Sequence, residues 1–533
     1  MSDITRTSIS SAPVKHDRKA EKDTKALDNE KAISVSSRPS SWDLEHGTTE
    51  VLPTKLNPLQ RFAYRLEEVS GMEARGIERV VEADRKLAMT WDDYVQMFSI
   101  WFSANLTLNN LIPGLLGPLL FGLSMKEAMV IGPFGSFFGA ACSGYTSTFG
   151  PMSGNRTLVT ARYTMGWWPS RLCVLLNIVI MVGYGLVDIL AAGQILSAVN
   201  GAGLSIITGT VVSAVISLAI VLFGIGVFHK YERYAWMPQL AVLFVLAGVA
   251  GPSFDATTVT EATGPAAAAD RMSYFWLCAS SAIAWSPATA DFYVYFPATT
   301  KRWMTWLCTT VGLTLSISIM VLFGAGLGSG VLSKQSWSDA YNVSMGALIV
   351  ESYAPLGAFG HFCAVVLALG LISNNVPSTY SAALSFQLLG RWCEQIPRIF
   401  WTVVATVIYT VCACVGKDVL FVVFQNFLAL MGYWTLIWVT LTLVEELLFR
   451  RRGGGYDWTV WHDKKRLPIG LAALVAFLVG WVGAVLGMWQ TYFTGPLAKL
   501  VGEGIDLGMP VGTSWAVLVF IPLRWLELKY VGR

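Results

Sequence analysis

The sequence predicts an all-α integral membrane protein of twelve transmembrane helices, on three observations. The 533 residues are 54% hydrophobic and 14% charged, with a mean hydropathy of +0.53, whereas a soluble domain carries about 25% charged residues. Twelve apolar runs are long enough to span a bilayer, at about 20 residues each. Lys and Arg concentrate in alternate connections, as the positive-inside rule requires. Twenty-one Trp fit the same class, because Trp collects at bilayer interfaces. A net charge of +3 is too small to suggest a nucleic-acid partner.

In chain order, residues 1–90 form a polar N-terminal tail rich in Ser, Lys, Asp and Glu. Residues 1–55 read as disordered and 56–90 as a short helical approach to the membrane. The first 30 residues lack an apolar core, so no cleavable signal peptide is expected. The spans are predicted at 95–122, 127–149, 171–199, 204–228, 235–252, 272–295, 304–331, 346–388, 397–416, 419–449, 468–490 and 511–529. This divides the chain into the tail, a ten-helix core over 91–450, a basic loop over 451–467, and two further helices with a short C-terminal tail over 468–533.

The even-numbered connections carry Arg156, Arg162 and Arg171; Lys230 and Arg233; Lys301 and Arg302; Arg391 and Arg398; and Arg450–Arg452 with Lys464–Arg466. The odd-numbered ones are poor in Lys and Arg, and the one between spans 5 and 6 holds Asp255, Glu261 and Asp270 against Arg271. Both termini are therefore expected in the cytoplasm. One missed helix would scramble this alternation. The sequon Asn342-Val-Ser344 falls in an outside connection. The eight cysteines lie in or beside apolar segments without a CxxC pair or Cys/His cluster, which reads as small buried hydrophobes.

Four spans carry polar or helix-breaking residues near their middles: Asn109–Asn110 with Pro113–Gly114 in span 1, Asp188 in span 3, Trp285-Ser286-Pro287 in span 6, and Asn374–Asn375 with Pro377 in span 8. Polar groups at the bilayer centre are costly unless they face a cavity, a partner or a ligand. Together they read as one midplane binding site, which points to transport. Two interrupted helices five spans apart fit an inverted 5+5 repeat whose unwound backbone lines a cavity; ordinary proline kinks are the alternative. Tyr184 and Asp188 are four residues apart and share a helix face. Asp188 is a candidate for substrate binding or proton coupling, since a desolvated carboxyl holds its proton more tightly; a structural pair with a neighbouring helix is the alternative. Asn374 and Asn375 point about 100° apart, so one can face a ligand while the other satisfies backbone freed by Pro377; interhelical bonding is the alternative for both. An Asn amide offers a donor and an acceptor together, matching the edge of a nucleobase. Trp285 could stack on a flat ring or simply pack. His361 reads as structural, Glu445 and Glu446 as interface charges, and Asp291 as a cap or pairing partner. No phosphate loop, metal-ligand spacing or nucleophile elbow is present, so no cofactor or metal is expected.

The residues resemble the fungal purine-cytosine permeases of nucleobase–cation symporter family 1, over roughly 70–530. The marks are Gly76-Ile77-Glu78-Arg79-Val80, Trp101-Phe102-Ser103-Ala104-Asn105, Arg162-Tyr163, Gly166-Trp167, Gly193-Gln194, Trp285-Ser286-Pro287 with Asp291-Phe292-Tyr293, Asn374-Asn375-Val376-Pro377, and Asn426-Phe427-Leu428 with Gly432-Tyr433-Trp434. The set is specific although no single element is. The resemblance implies a 5+5 inverted repeat plus two C-terminal helices, and proton-coupled uptake of cytosine and purines at the plasma membrane. Carried over, Asn374 and Asn375 hydrogen-bond the base, Trp285 stacks near it, and Asn109 and Asp188 line the site. The pattern departs at two places, near Asn109, where a small hydroxyl residue is usual, and at Asp188, where an amide is usual. An acid at 188 changes what the pocket accepts, and the same family includes a vitamin B6 (pyridoxine) permease. A non-transporting receptor on this fold is a further alternative. A membrane enzyme is disfavoured, because no acid/base pair or metal set lies at a membrane face.

Overall fold

The computed structural model describes residue 58 and residues 75–533, apart from 202, 223–224, 419, 452–453, 491 and 501–503. The tail expected over 1–90 therefore lies outside the described residues up to position 74, save residue 58. Over 75–90 the chain makes one 3-10 turn, Glu82–Asp84, and no α-helix. The helical approach expected there gives way to a strap pinned by Arg85, whose guanidinium bonds the Val80 and Pro151 carbonyls.

Helix α1 (Trp91–Asn105) starts on a capping box in which the Thr90 and Asp93 side chains satisfy each other's backbone amides. It stops where Asn side chains compete for its carbonyls: Asn110 Nδ2 bonds the Asn105 carbonyl at 2.8 Å. A 3-10 turn, Leu108–Asn110, leads into α2 (Leu111–Leu120). Pro113 stands in the first turn of α2, where a missing N–H leaves nothing unpaired. Helices α3 (Met125–Ser147), α4 (Ser170–Val199), α5 (Ile206–Leu222) and α6 (Ile225–Ala250) follow. Helix α7 (Gly264–Ile283) ends just before Trp285-Ser286-Pro287, and a 3-10 turn resumes at Thr289–Phe292. The two interruptions expected in spans 1 and 6 are both present.

Helix α8 (Arg302–Ser333) is followed by two short helices, α9 (Gln335–Val343) and α10 (Met345–Ser352), and then α11 (Ala358–Leu388). The single span expected over 346–388 is thus two helices, divided at Gly357, whose φ of +54° suits glycine. Pro377 was expected to break its helix, but α11 runs through it. Packing along α4 holds the helix despite the lost backbone bond. Helices α12 (Arg398–Val415) and α13 (Leu420–Val444) complete the core, α13 ending in a π-turn, Glu445–Arg450. Helix α14 (Leu471–Gly487), a short antiparallel ladder of β1 (Trp489–Gln490) on β2 (Phe493–Thr494), and α15 (Gly508–Val531) end the chain.

Among the described residues, seven helices are long and apolar enough to cross a membrane and three shorter apolar segments accompany them. Small residues let backbones meet. Gly114 of α2 lies against Val321 and Gly324 of α8, and Gly135 and Gly139 of α3 lie against α7. Basic residues of the connections before α4, before α8 and after α13 meet at one end of the bundle, here the basic end. There Arg302 grips Glu446 and Thr148, and Arg162 bonds the Trp461 carbonyl at 3.0 Å. At the far end Arg271 pairs with Glu127. Cys173, Cys278 and Cys363 are buried as expected, but Cys412 is exposed on α12 and the other four are half-buried.

Candidate functional site

The two helix breaks face each other through aromatic and amide groups. Trp285, in the α7 break, donates from Nε1 to Asn105 Oδ1 at the end of α1, at 2.8 Å. Its ring lies flat on Tyr184 of α4, with centroids 5.3 Å apart and planes 9° apart, an offset stack typical of aromatic pairs. Trp101 meets Trp285 edge-on, at 5.5 Å. Tyr184 OH donates to the Ser281 carbonyl, 3.1 Å away in the last turn of α7. Such end-of-helix carbonyls lack intrahelical donors.

A second set of bonds joins the α1–α2 break to α11. Asn109 Nδ2 donates to Asn374 Oδ1 at 3.1 Å, and Thr107 Oγ1 donates to Asn109 Oδ1 at 2.6 Å. Asn374 Nδ2 in turn donates to the Ala104 carbonyl. Asp188 stands one turn beyond Tyr184 on α4 and is 0% exposed. Asn109 is close enough to interact with its carboxyl, yet neither carboxyl oxygen closes a hydrogen bond of ordinary length. A buried acid with two unfilled acceptors is a costly feature, and it sits beside the flat Tyr184–Trp285 pair.

The structure brings Asn109, Tyr184, Asp188, Trp285 and Asn374 together and sets Asn375 apart. Asn375 Nδ2 bonds Ser217 Oγ of α5 at 3.0 Å and Tyr409 OH of α12 at 3.1 Å, while its oxygen accepts from Thr379 at 3.1 Å. Its amide nitrogen ties α11 to α5 and α12, and its oxygen accepts from one turn further along α11 itself. Asp291 behaves as the pairing residue expected. It accepts from Thr157 N at 2.7 Å and Ser381 at 2.9 Å, while Arg156 bonds its carbonyl at 2.7 Å. Two members escape sequence reasoning. Asn105 orients Trp285 from 180 positions away, and Phe427 of α13 covers Tyr184 edge-on at 6.1 Å. Asn105's place at an interrupted helix end was the available signal; Phe427 stood only within a mark of the family resemblance, with no role attached. Among the described residues, no group of three His, Cys, Asp or Glu is placed to hold a metal ion.

Residues 87–512 match the family described as permeases for cytosine/purines, uracil, thiamine and allantoin. A vitamin B6 transporter of Saccharomyces cerevisiae is 31% identical over 556 aligned positions, covering 95% of this chain and 96% of its own. A purine-cytosine permease of the same yeast is 32% identical over 528 positions with the same coverage, and one from Emericella nidulans is 30% identical over 480, covering 89% and 92%. Among solved structures, a nucleobase-cation-symport-1 transporter in a closed conformation with bromovinylhydantoin bound shares the fold, with a TM-score of 0.62 at 15% identity, covering 89% and 96%. These relatives are transporters, not enzymes. With the family matched over most of its length, the chain belongs to the permeases for cytosine/purines, uracil, thiamine and allantoin.

Proposed function

We propose that this permease imports a planar nitrogen heterocycle together with protons, with cytosine and purines as the first substrates. The observation that carries the reading is the Tyr184–Trp285 stack beside a buried carboxyl with unfilled acceptors. A flat ring sliding against Trp285 gains stacking, and its ring and amino N–H groups fill Asp188. Asn374 and Asn109 exchange their mutual bond for bonds to the ring edge, since each amide offers a donor and an acceptor. Asn375 is reassigned to holding α5, α11 and α12 in register. Asp188 is the candidate for carrying the coupled proton.

A specific observation favours a second reading. A buried carboxyl whose oxygens close no hydrogen bond of ordinary length suits a substrate bearing positive charge or several donors, and pyridoxine, with its basic ring nitrogen and three hydroxyls, is such a substrate. The similarity to a vitamin B6 transporter supports it equally with the nucleobase reading.

The architecture we propose is twelve spans in a 5+5 inverted repeat with two added helices, the basic end and both termini in the cytoplasm, and the protein in the plasma membrane. Transport then proceeds by alternating access, one bundle rocking against the other around the fixed site. The test is uptake of radiolabelled cytosine and pyridoxine, side by side, in yeast lacking its own base and vitamin B6 permeases. Cytosine accumulation supports the first reading and pyridoxine accumulation alone supports the second. Saturable binding without accumulation means a receptor and overturns both.

A further inference from the structure

At the far end of the bundle a second buried carboxyl, unrelated to Asp188, joins four elements. Asp506 lies in the connection between α14 and α15, just before α15, and is 6% exposed. Its Oδ2 accepts from Tyr433 OH of α13 at 2.6 Å and from Gln490 Nε2 of β1 at 3.1 Å, and its Oδ1 accepts from Gly508 N at 2.9 Å. Its backbone N–H donates to Ser273 Oγ of α7 at 2.9 Å. Gln490 Nε2 also reaches the Tyr433 hydroxyl at 2.8 Å. The carboxyl lines a small cavity walled by Phe121, Trp276, Trp489 and Met509.

The groups facing it are neutral or acidic. Tyr433 comes from α13, Tyr492 from the turn beside β1, Ser273 from α7 and the Gly508 amide from α15. Among the described residues, no Lys, Arg or His forms an ion pair with it. An ionised carboxylate here is buried without a counter-ion, which is costly.

Helix α13 is also the helix that covers the candidate site. Phe427 lies edge-on to Tyr184, and Tyr433 follows six residues later, about 9 Å along the helix. Gly432 lies between them, against Ser280 of α7 and Met509 of α15. Whatever holds Tyr433 therefore holds Phe427 over the site.

We propose that Asp506 is a proton-binding positioning residue that latches α13 closed over the substrate site from the outer face. The proposal rests on the import reading and on the far end being outermost. A proton from outside water adds to the Asp506 carboxylate, giving a neutral acid that remains hydrogen-bonded to the Tyr433 hydroxyl. The closed arrangement buries the acid, whereas an open one hydrates it. Burial pushes the Asp506 carboxyl up from 3.8 to about 6, opposed by the bonds from Tyr433, Gly508 and Gln490. The sign follows from linkage: the closed form binds the proton more tightly, so acid favours closure. That advantage is complete below the ordinary carboxylate range and is lost as the pH rises through about 6. At its limit it shifts the closed-to-open ratio about a hundredfold.

The test is hydrogen–deuterium exchange on the full-length protein in lipid nanodiscs at pH 5 and pH 8, corrected for the intrinsic rate. Peptides containing Tyr433, Gln490 and Asp506 should exchange at least about tenfold more slowly at pH 5, and Asp506→Asn should abolish the difference. Equal protection of the wild type at both pH values, or a difference that survives in Asp506→Asn, overturns the proposal. Tyr433→Phe provides an independent check. Losing a donor to the carboxylate should move the pH of the transition upward, and an unmoved transition counts against the latch. A wild type that imports neither heterocycle yet shows acid protection sinks the import reading and leaves the latch standing.

Discussion

Replacing Asn374 by Ala removes both bonds that join α11 to the α1–α2 break. Asn109 Nδ2 loses the acceptor 3.1 Å away, and the Ala104 carbonyl loses its donor. Ala104 lies in the last turn of α1, where carbonyls have no intrahelical donor, so no backbone bond replaces it. Each buried group left unpaired costs about 1–3 kcal/mol, and the pair therefore about 2–6 kcal/mol. At about 1.4 kcal/mol per factor of ten, the lower figure alone slows uptake roughly thirtyfold. Asn374→Asp should not rescue it, because it keeps the acceptor for Asn109 but turns an oxygen on the Ala104 carbonyl. Asn375→Ala is the control, since its bonds run to Ser217, Tyr409 and Thr379 and leave the Asn109–Asn374 bond intact. It should lower the amount of protein at the surface more than the rate per molecule. The assay is initial uptake of labelled substrate, normalised to surface protein by biotinylation. An Asn374→Ala protein whose KM and maximal rate stay within about twofold of wild type would refute the assignment.

Three further outcomes are expected. Trp285→Phe keeps the stack on Tyr184 and loses the bond to Asn105, worth about 1 kcal/mol net, so KM should rise roughly fivefold with little change in surface amount. Asp188→Asn keeps the shape of the side chain and removes its charge, so pyridoxine uptake should fall more than cytosine uptake; equal losses would detach Asp188 from selectivity. Glu445→Ala leaves Arg524, 1% exposed and bonded to Glu445 at 2.8 Å through two nitrogens, partly uncompensated, at a cost of about 3–5 kcal/mol. Its surface amount should collapse at 37 °C and partly recover at 20 °C.

The parts of the fold legible in sequence were those written in local chemistry. Interrupted helices show as Asn-Asn with Pro-Gly and as Trp-Ser-Pro, because side-chain amides and proline act on backbone within a few residues. The Tyr184–Asp188 face follows from helical spacing alone. The angular separation of Asn374 and Asn375 was equally local, but which of them faces the break depends on where α5 and α12 pass. Pro377 misled for the same reason, since packing along α4 decides whether a proline interrupts a helix. Phe427 and Asp506 meet partners on other elements that sequence spacing does not reveal, and an apolar helix such as α13 carries no mark of which ring covers a site.

The account stands most directly on one measurement: cytosine and pyridoxine import into proteoliposomes holding the purified protein, with an imposed inward proton gradient, with that gradient collapsed, and with sodium in its place. The expected result is concentrative uptake of one of the two with the proton gradient only, and none in Trp285→Ala. Uptake driven by sodium alone contradicts proton coupling, and undiminished uptake in Trp285→Ala contradicts the site.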